Sequence, residues 1–167
     1  MNVDIMLRTL NRHKVAYLLI GGVNFMMRHE SVLTYDVDIW IKDSDDNIWR
    51  TEKALAALKA EWGRSTDTWG PVEKMSAGWL KSQMVFCLTS PHGAIDIFRS
   101  VTGLRDWKSS FKNALCEKTA AGIPYRGISD QDMLRCQESL EKKEKKIERI
   151  GMLKKALRRP RRRRARS

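Results

Sequence analysis

The sequence predicts a single α+β (or α/β) domain with a mixed, mostly antiparallel sheet flanked by helices and ending in a long C-terminal helix. Three observations carry this reading. Short apolar runs bounded by Gly, Pro, Ser or Asp read as strands: Ala16 to Ile20, Thr34 to Ile41, Met84 to Leu88 and Ala94 to Phe98. The stretches around them place apolar residues at helical spacing. The length, 167 residues, suits one domain that buries about two-thirds of its unfolded surface.

Taken in order, Val3, Met6, Leu7 and Leu10 predict an amphipathic helix over residues 2–13. Ala16 to Ile20 is an apolar run stopped by Gly21-Gly22, the profile of a buried strand. Val23 to His29 follows as a short helix with Met26 and Met27 as core filler. Thr34 to Ile41 alternates Asp36 and Asp38 with Val37 and Ile39, a strand with one polar face. Asp43, Ser44 or Asp45 caps a third helix reaching about Trp62, because Ile48, Leu55 and Leu58 share a face and acids crowd the first turn. Residues 63–78 read as loop. Met84 to Leu88 and Ala94 to Phe98 form a hairpin pattern across Thr89-Ser90-Pro91-His92-Gly93. Arg105 to Leu115 is helical, and Tyr125 to Ile128 is a short extended segment. Ser129-Asp130 then caps one long final helix carrying Met133, Leu134, Leu140, Ile147, Ile150 and Leu153.

The net charge is +12, from 32 Lys and Arg against 20 Asp and Glu. Nine of the basic residues and no acid fall in 154–167, so the remainder carries only +3. This divides the chain into a domain at 1–153 and a basic tail at 154–167, whose like charges and Pro160 predict disorder. The tail has three readings: phosphate contacts to RNA or another nucleic acid, attraction to an acidic protein partner, or a solvated extension. Nucleic acid is the first choice, and non-specific, because no aromatic residue is interleaved to read bases. Cys87, Cys116 and Cys136 are widely spaced and odd in number, which argues against a disulfide framework or a zinc site. No apolar stretch approaches a membrane span and the first residues lack a signal layout, so a cytoplasmic location is predicted.

The chemistry concentrates between Tyr17 and Ile41. A strand's period of two puts Asp36 and Asp38 on one face, about 7 Å apart along the backbone. Two carboxylates so close repel unless a cation neutralises them. Gly21-Gly22 lets the backbone turn sharply and offer amides to a phosphate. Asp96, between Ile95 and Ile97, needs solvent, a partner or a metal. Asp-x-Asp alone is commonly an exposed strand face, but three carboxylates and a glycine turn are hard to ascribe to packing. His29 and His92 read as structural, and Trp62, Trp69 and Trp79 as packing rather than base-stacking groups.

In chain order, Y-L-L-I-G-G-V (17–23), T-Y-D-V-D-I (34–39), A-I-D-I-F (94–98) and I-S-D-Q-D-M-L (128–134) resemble the nucleotidyltransferase superfamily, with its polymerase-beta-like fold. Within it they look like the small nucleotidyltransferases related to bacterial toxin and abortive-infection proteins. The resemblance spans roughly residues 15 to 153. It implies that Asp36 and Asp38 coordinate two Mg²⁺ ions and that Asp96 holds the metal beside an attacking hydroxyl. Amides around Gly21 and Gly22 would hold the triphosphate of an NTP, and a nucleoside monophosphate would pass to an unidentified acceptor, with RNA a candidate. Thr34 is a candidate phosphate contact, although a β-branched residue is at home in a strand. Lys42 and Arg99, just beyond the acidic strands, are candidates for neutralising the leaving group, against the commoner role of solvated charges. Two other classes stay open: a catalytically degenerate nucleic-acid-binding protein of the same fold, and a toxin-antitoxin component that works with a protein partner.

Overall fold

The computed structural model of the protein describes residues 1–158. Helix α1 (Val3–Arg12) leads into β1 (Tyr17–Leu19), α2 (Gly21–Met26), β2 (Asp36–Ile41) and α3 (Asp45–Ala57). A small ribbon of β3 (Glu61–Trp62) and β4 (Gly70–Pro71) precedes the hairpin of β5 (Val85–Leu88) and β6 (Ala94–Phe98). Then come α4 (Trp107–Asn113), β7 (Leu115–Lys118), β8 (Pro124–Gly127), α5 (Asp130–Ser139) and α6 (Ile147–Arg158). Six strands form one sheet in the order β5-β6-β2-β1-β8-β7. β5 with β6, β1 with β2, and β7 with β8 are antiparallel; β2 with β6 and β1 with β8 are parallel. The sheet is therefore mixed and mostly antiparallel, as predicted.

Alternation along each strand sorts the core into two layers. Tyr17, Leu19, Val37, Ile39, Ile41, Phe86, Leu88, Ile95 and Ile97 point to one side, where Met6, Leu7 and Leu10 of α1 and Ile48 and Leu55 of α3 cover them. Leu18, Ile20 and Trp40 point to the other, against Phe25, Met133, Leu134 and Leu153. Asp36 and Asp38 share the parity of Trp40, so they belong to this second face. Buried Asn47 ties the start of α3 to the sheet: its Oδ1 accepts from Ala16 N at 2.6 Å and its Nδ2 donates to Ala16 O and Lys42 O, each at 2.9 Å.

The expected long C-terminal helix is two helices. Ser129 caps α5, its Oγ accepting from Asp132 N at 3.2 Å, but Leu140 leaves the helix in extended conformation. The chain turns over 140–146, closed where Gln137 Oε1 accepts from Lys146 N at 3.1 Å, and α6 folds back so that Lys154 meets Glu138 at 2.8 Å. A continuous helix would carry Leu153 about 30 Å from Met133. Folding back instead leaves Leu153 fully buried beneath the second face. Lys154 to Arg158, the start of the predicted tail, continue α6. The predicted disorder of the remainder lies outside the described residues. No helix among the described residues is long and apolar enough to cross a membrane.

Candidate active site

Parallel pairing of β2 with β6 sets Asp38 directly beside Asp96, with Asp36 two residues earlier on the same face. One carboxylate oxygen from each of Asp36, Asp38 and Asp96 lies within 4.8 Å of the others. None of the three forms an ion pair among the described residues. Thr34 Oγ1 donates to Asp36 Oδ1 at 3.2 Å. Across the hairpin, the Cys87 thiol donates to Asp96 Oδ2 at 3.4 Å, because Cys87 is paired with Asp96 in register.

Crowding of the three carboxylates sets the electrostatics of this face. Burial first, then the charges of Asp36 and Asp96, push the Asp38 carboxyl up to about 7, against the pull of the Gly22 amide and Arg149. Burial and Asp36 also raise Asp96, with the Cys87 hydrogen bond acting the other way. The Cys87 thiol is itself pushed up to about 11, by burial and then by Asp96. Three half-buried hard oxygen donors at this spacing fit a divalent cation such as Mg²⁺.

Both glycines are required by what packs on them. Gly21 adopts φ +64°, and a Cβ there would overlap the Asp38 carboxylate. A Cβ on Gly22 would press on the Thr34 hydroxyl. The turn thus lets the metal-binding strand lie against the start of α2. Asn24, next along α2, is buried and donates from Nδ2 to Ile128 O at 3.1 Å, so it joins α2 to the end of β8.

The other sequence candidates separate. Gly21, Gly22 and Thr34 join the carboxylates, whereas Lys42 is exposed at the far end of β2 and Arg99 faces away. Arg99 follows Asp96 by an odd number of residues and so points to the other side of the strand. Its guanidinium clasps Asp43 at 3.0 and 3.1 Å and donates to Lys81 O at 2.9 Å. That is a structural clamp between β6, the start of α3 and the segment before β5. His29 Nε2 pairs with Asp130 Oδ1 at 3.0 Å, and Trp62 and Trp79 stack with centroids 5.8 Å apart, both in keeping with packing roles.

Two neighbours of the triad were absent from the sequence reading. Cys87 is legible only once the hairpin register is known. Arg149 arrives from α6, over a hundred residues along the chain, and no local pattern marks it. With Gly21 and Asp38 it lines a cavity of about 230 Å³ between the sheet and α5 and α6. A larger groove of about 750 Å³ lies between α1 and the β7 and β8 hairpin and includes none of the three carboxylates.

No family model matches the sequence, and no curated protein matches it. Solved structures do. The lincosamide antibiotic adenylyltransferase LnuA with lincomycin bound superposes with a TM-score of 0.59 at 14% identity, covering 92% of this chain and 96% of that one. The antibiotic-resistance factor ANT(2'')-Ia, in complex with adenylyl-2''-tobramycin, gives 0.56 at 13% identity over 93% of this chain and 87% of its own. The chain has the nucleotidyltransferase fold. A Thermotoga maritima protein described as a nucleotidyltransferase, TM1012, matches at 0.53 with 16% identity, covering 91% and 88% of the two chains. In this nucleotidyltransferase fold Asp38, on the acidic face of β2, borders the cavity that lies toward α5 and α6.

Proposed function

We propose that the protein transfers a nucleoside monophosphate from an NTP to a hydroxyl-bearing acceptor, with a Mg²⁺ centre on Asp36, Asp38 and Asp96. The observation that carries this is the convergence of the three carboxylates within 4.8 Å on a face of the nucleotidyltransferase fold. When bound, the divalent metal lowers the pKa of the acceptor hydroxyl and neutralises charge on the transferring phosphoryl group. Asp36 and Asp38 would hold it from β2, and Asp96 would hold it from β6. Asp96, beside the acceptor hydroxyl, would take its proton as the hydroxyl oxygen attacks the α-phosphorus. The bond from that phosphorus to the β-phosphate bridging oxygen breaks, and pyrophosphate leaves. The start of α2 at Gly21 and Gly22, with Thr34, lies against the triphosphate. The closeness of Gly21 to Asp38 keeps nucleotide and metal in one place.

The acceptor has two candidate classes. The +12 charge supports a polyanion such as RNA, drawn through the basic residues at 154–167. The solved neighbours bind lincomycin or carry adenylylated tobramycin, which supports a small hydroxylated molecule instead. Incubation with α-labelled NTPs, Mg²⁺ and either total RNA or a panel of small hydroxylated compounds separates them. Label should appear in one acceptor class, with pyrophosphate released in equal amount. The Asp36→Ala, Asp38→Ala double variant should transfer none, and transfer that survives this change would refute the assignment. Absence of both transfer and Mg²⁺-dependent NTP binding in the wild type would favour a non-catalytic binding protein.

A further inference from the structure

Strand β7 ends the sheet, and its ladder to β8 has a fixed phase. Thr119 N donates to Ile123 O at 2.9 Å, so bonding in this antiparallel pair recurs at Glu117 with Tyr125 and at Leu115 with Gly127. Pro124, which has no N–H, falls in a pair that needs none, and its carbonyl instead accepts from Asn11 Nδ2 at 2.7 Å. The N–H and C=O groups of Cys116 and Lys118 therefore point away from the sheet. No backbone hydrogen bond among the described residues reaches them from outside it, and both residues are exposed.

This edge borders the groove of about 750 Å³ between α1 and the β7 and β8 hairpin. The segments that line the groove carry Arg12, Lys14, Lys112, Lys118 and Arg126, all exposed, against one acid, Glu117. No ion pair among the described residues engages the five cations. Arg126 lies over the Phe111 ring, its guanidinium carbon 4.2 Å from the ring centre. Residues 1–153 carry only +3 in total, so five cations in one place are a local excess. The groove is remote from the acidic face: Tyr17, in its wall, pairs with Ile41 at the end of β2, whereas Asp36 starts that strand.

We propose that β7 is a docking edge for an extended acidic segment of a partner protein, which adds to the sheet as a further strand. Its backbone would pair with the outward groups of Cys116 and Lys118, and its carboxylates would lie over Lys118 and Arg126, which share one side of the hairpin. The chemistry of the edge selects this occupant. A peptide backbone supplies both donors and acceptors, whereas nucleic-acid phosphates only accept and would leave the two outward carbonyls unmatched. Two copies of the chain joined at this edge would bring two sets of cations together.

The test uses the full chain and three probes: peptides of about ten residues alternating Glu with Val or Lys with Val, and oligouridylate of similar length. Calorimetry reads the affinity, and amide hydrogen exchange reads the docking position. The Glu–Val peptide should bind, slow exchange at the Cys116 and Lys118 amides about tenfold or more, and weaken as salt is raised; the Lys–Val peptide should not bind. Cys116→Pro removes one outward N–H and leaves the ladder to β8 whole, so it should weaken the Glu–Val peptide about tenfold. The Lys118→Glu, Arg126→Glu double variant should weaken it by a similar factor. Unchanged affinity in either variant, equal binding of both peptides, or protection confined to other amides would overturn the proposal. A Glu–Val peptide that fails to bind would overturn it too, as would oligouridylate protecting Cys116 and Lys118 in its place. A dimer seen in sedimentation that protects the same amides without any probe would assign the edge to a second copy and likewise overturn it. Should Cys116→Pro fail to fold, the charge-reversal variant and the exchange pattern decide.

Discussion

Asp38→Asn should make the metal-free protein more stable while removing its response to metal. The Asp38 carboxyl sits at about 7 in the folded protein against an ordinary value of 3.8. At about 1.36 kcal/mol per pKa unit, ionising it in the folded state opposes folding by roughly 4 kcal/mol above neutral pH. Relaxation and partial solvation reduce this to about 2 kcal/mol, or about 4–8 °C in melting temperature for a chain of this size. The sign follows from the direction of the shift. Between about 4 and about 7 the folded protein holds a proton that the unfolded chain releases, so this contribution is full below the unfolded value and is lost as pH rises through the folded one. The advantage of D38N over wild type should therefore be largest at pH 8, shrink steadily through pH 5 and vanish below about pH 4. The assay is thermal unfolding in EDTA and in Mg²⁺ across that range. Wild type should gain about 2.7 kcal/mol from Mg²⁺ at a hundredfold excess over Kd, and D38N close to nothing. A destabilised apo D38N, or one stabilised by Mg²⁺ as strongly as wild type, would refute the reasoning.

Other consequences follow from the same geometry. Because metal displaces the proton on Asp38, Mn²⁺ affinity measured by electron paramagnetic resonance should fall about tenfold per pH unit below about 7 and level off above it; a flat profile would contradict this. Gly21→Ala forces a side chain into the space of the Asp38 carboxylate at φ +64°, so it should cost about 1–2 kcal/mol and weaken Mn²⁺ binding as well, where a change in stability alone would place the carboxylate elsewhere. Arg99→Ala should lower stability by about 2 kcal/mol in urea unfolding without changing the KM for NTP, since its guanidinium serves Asp43 and backbone carbonyls; a KM effect at unchanged stability would return it to the nucleotide site. Truncation after Leu153 should weaken RNA binding and flatten its salt dependence, and unchanged binding would remove RNA from the candidate acceptors reached through that segment.

Much of the acidic face was readable because it depends on local period alone. Asp36 and Asp38 stand out on β2 since alternation forces both onto one side, and Asp96 stands out because its strand neighbours are isoleucines. The pairing of Asp38 with Asp96 was not readable, as it depends on β2 and β6 lying parallel across 58 residues of chain. The same parity that finds the aspartates places Arg99 on the opposite side, a step the candidate assignment did not take. The break between α5 and α6 left no local trace: Leu140, Ile147 and Ile150 keep helical spacing through it, and the turn is closed by a side chain, Gln137. Arg149 was hidden for the same reason, since its place beside Asp38 exists only when α6 folds back. Strand β7 was missed because Leu115 to Lys118 is short, half charged and at the sheet edge, where pairing rather than burial defines it.

The most direct test of the metal centre is anomalous diffraction from crystals grown with Mn²⁺ and a non-hydrolysable NTP analogue. The proposed function predicts manganese within coordination distance of Asp36, Asp38 and Asp96, with the triphosphate running toward Gly21. Bound analogue with no manganese at these three carboxylates, or manganese held at another site, would contradict the account.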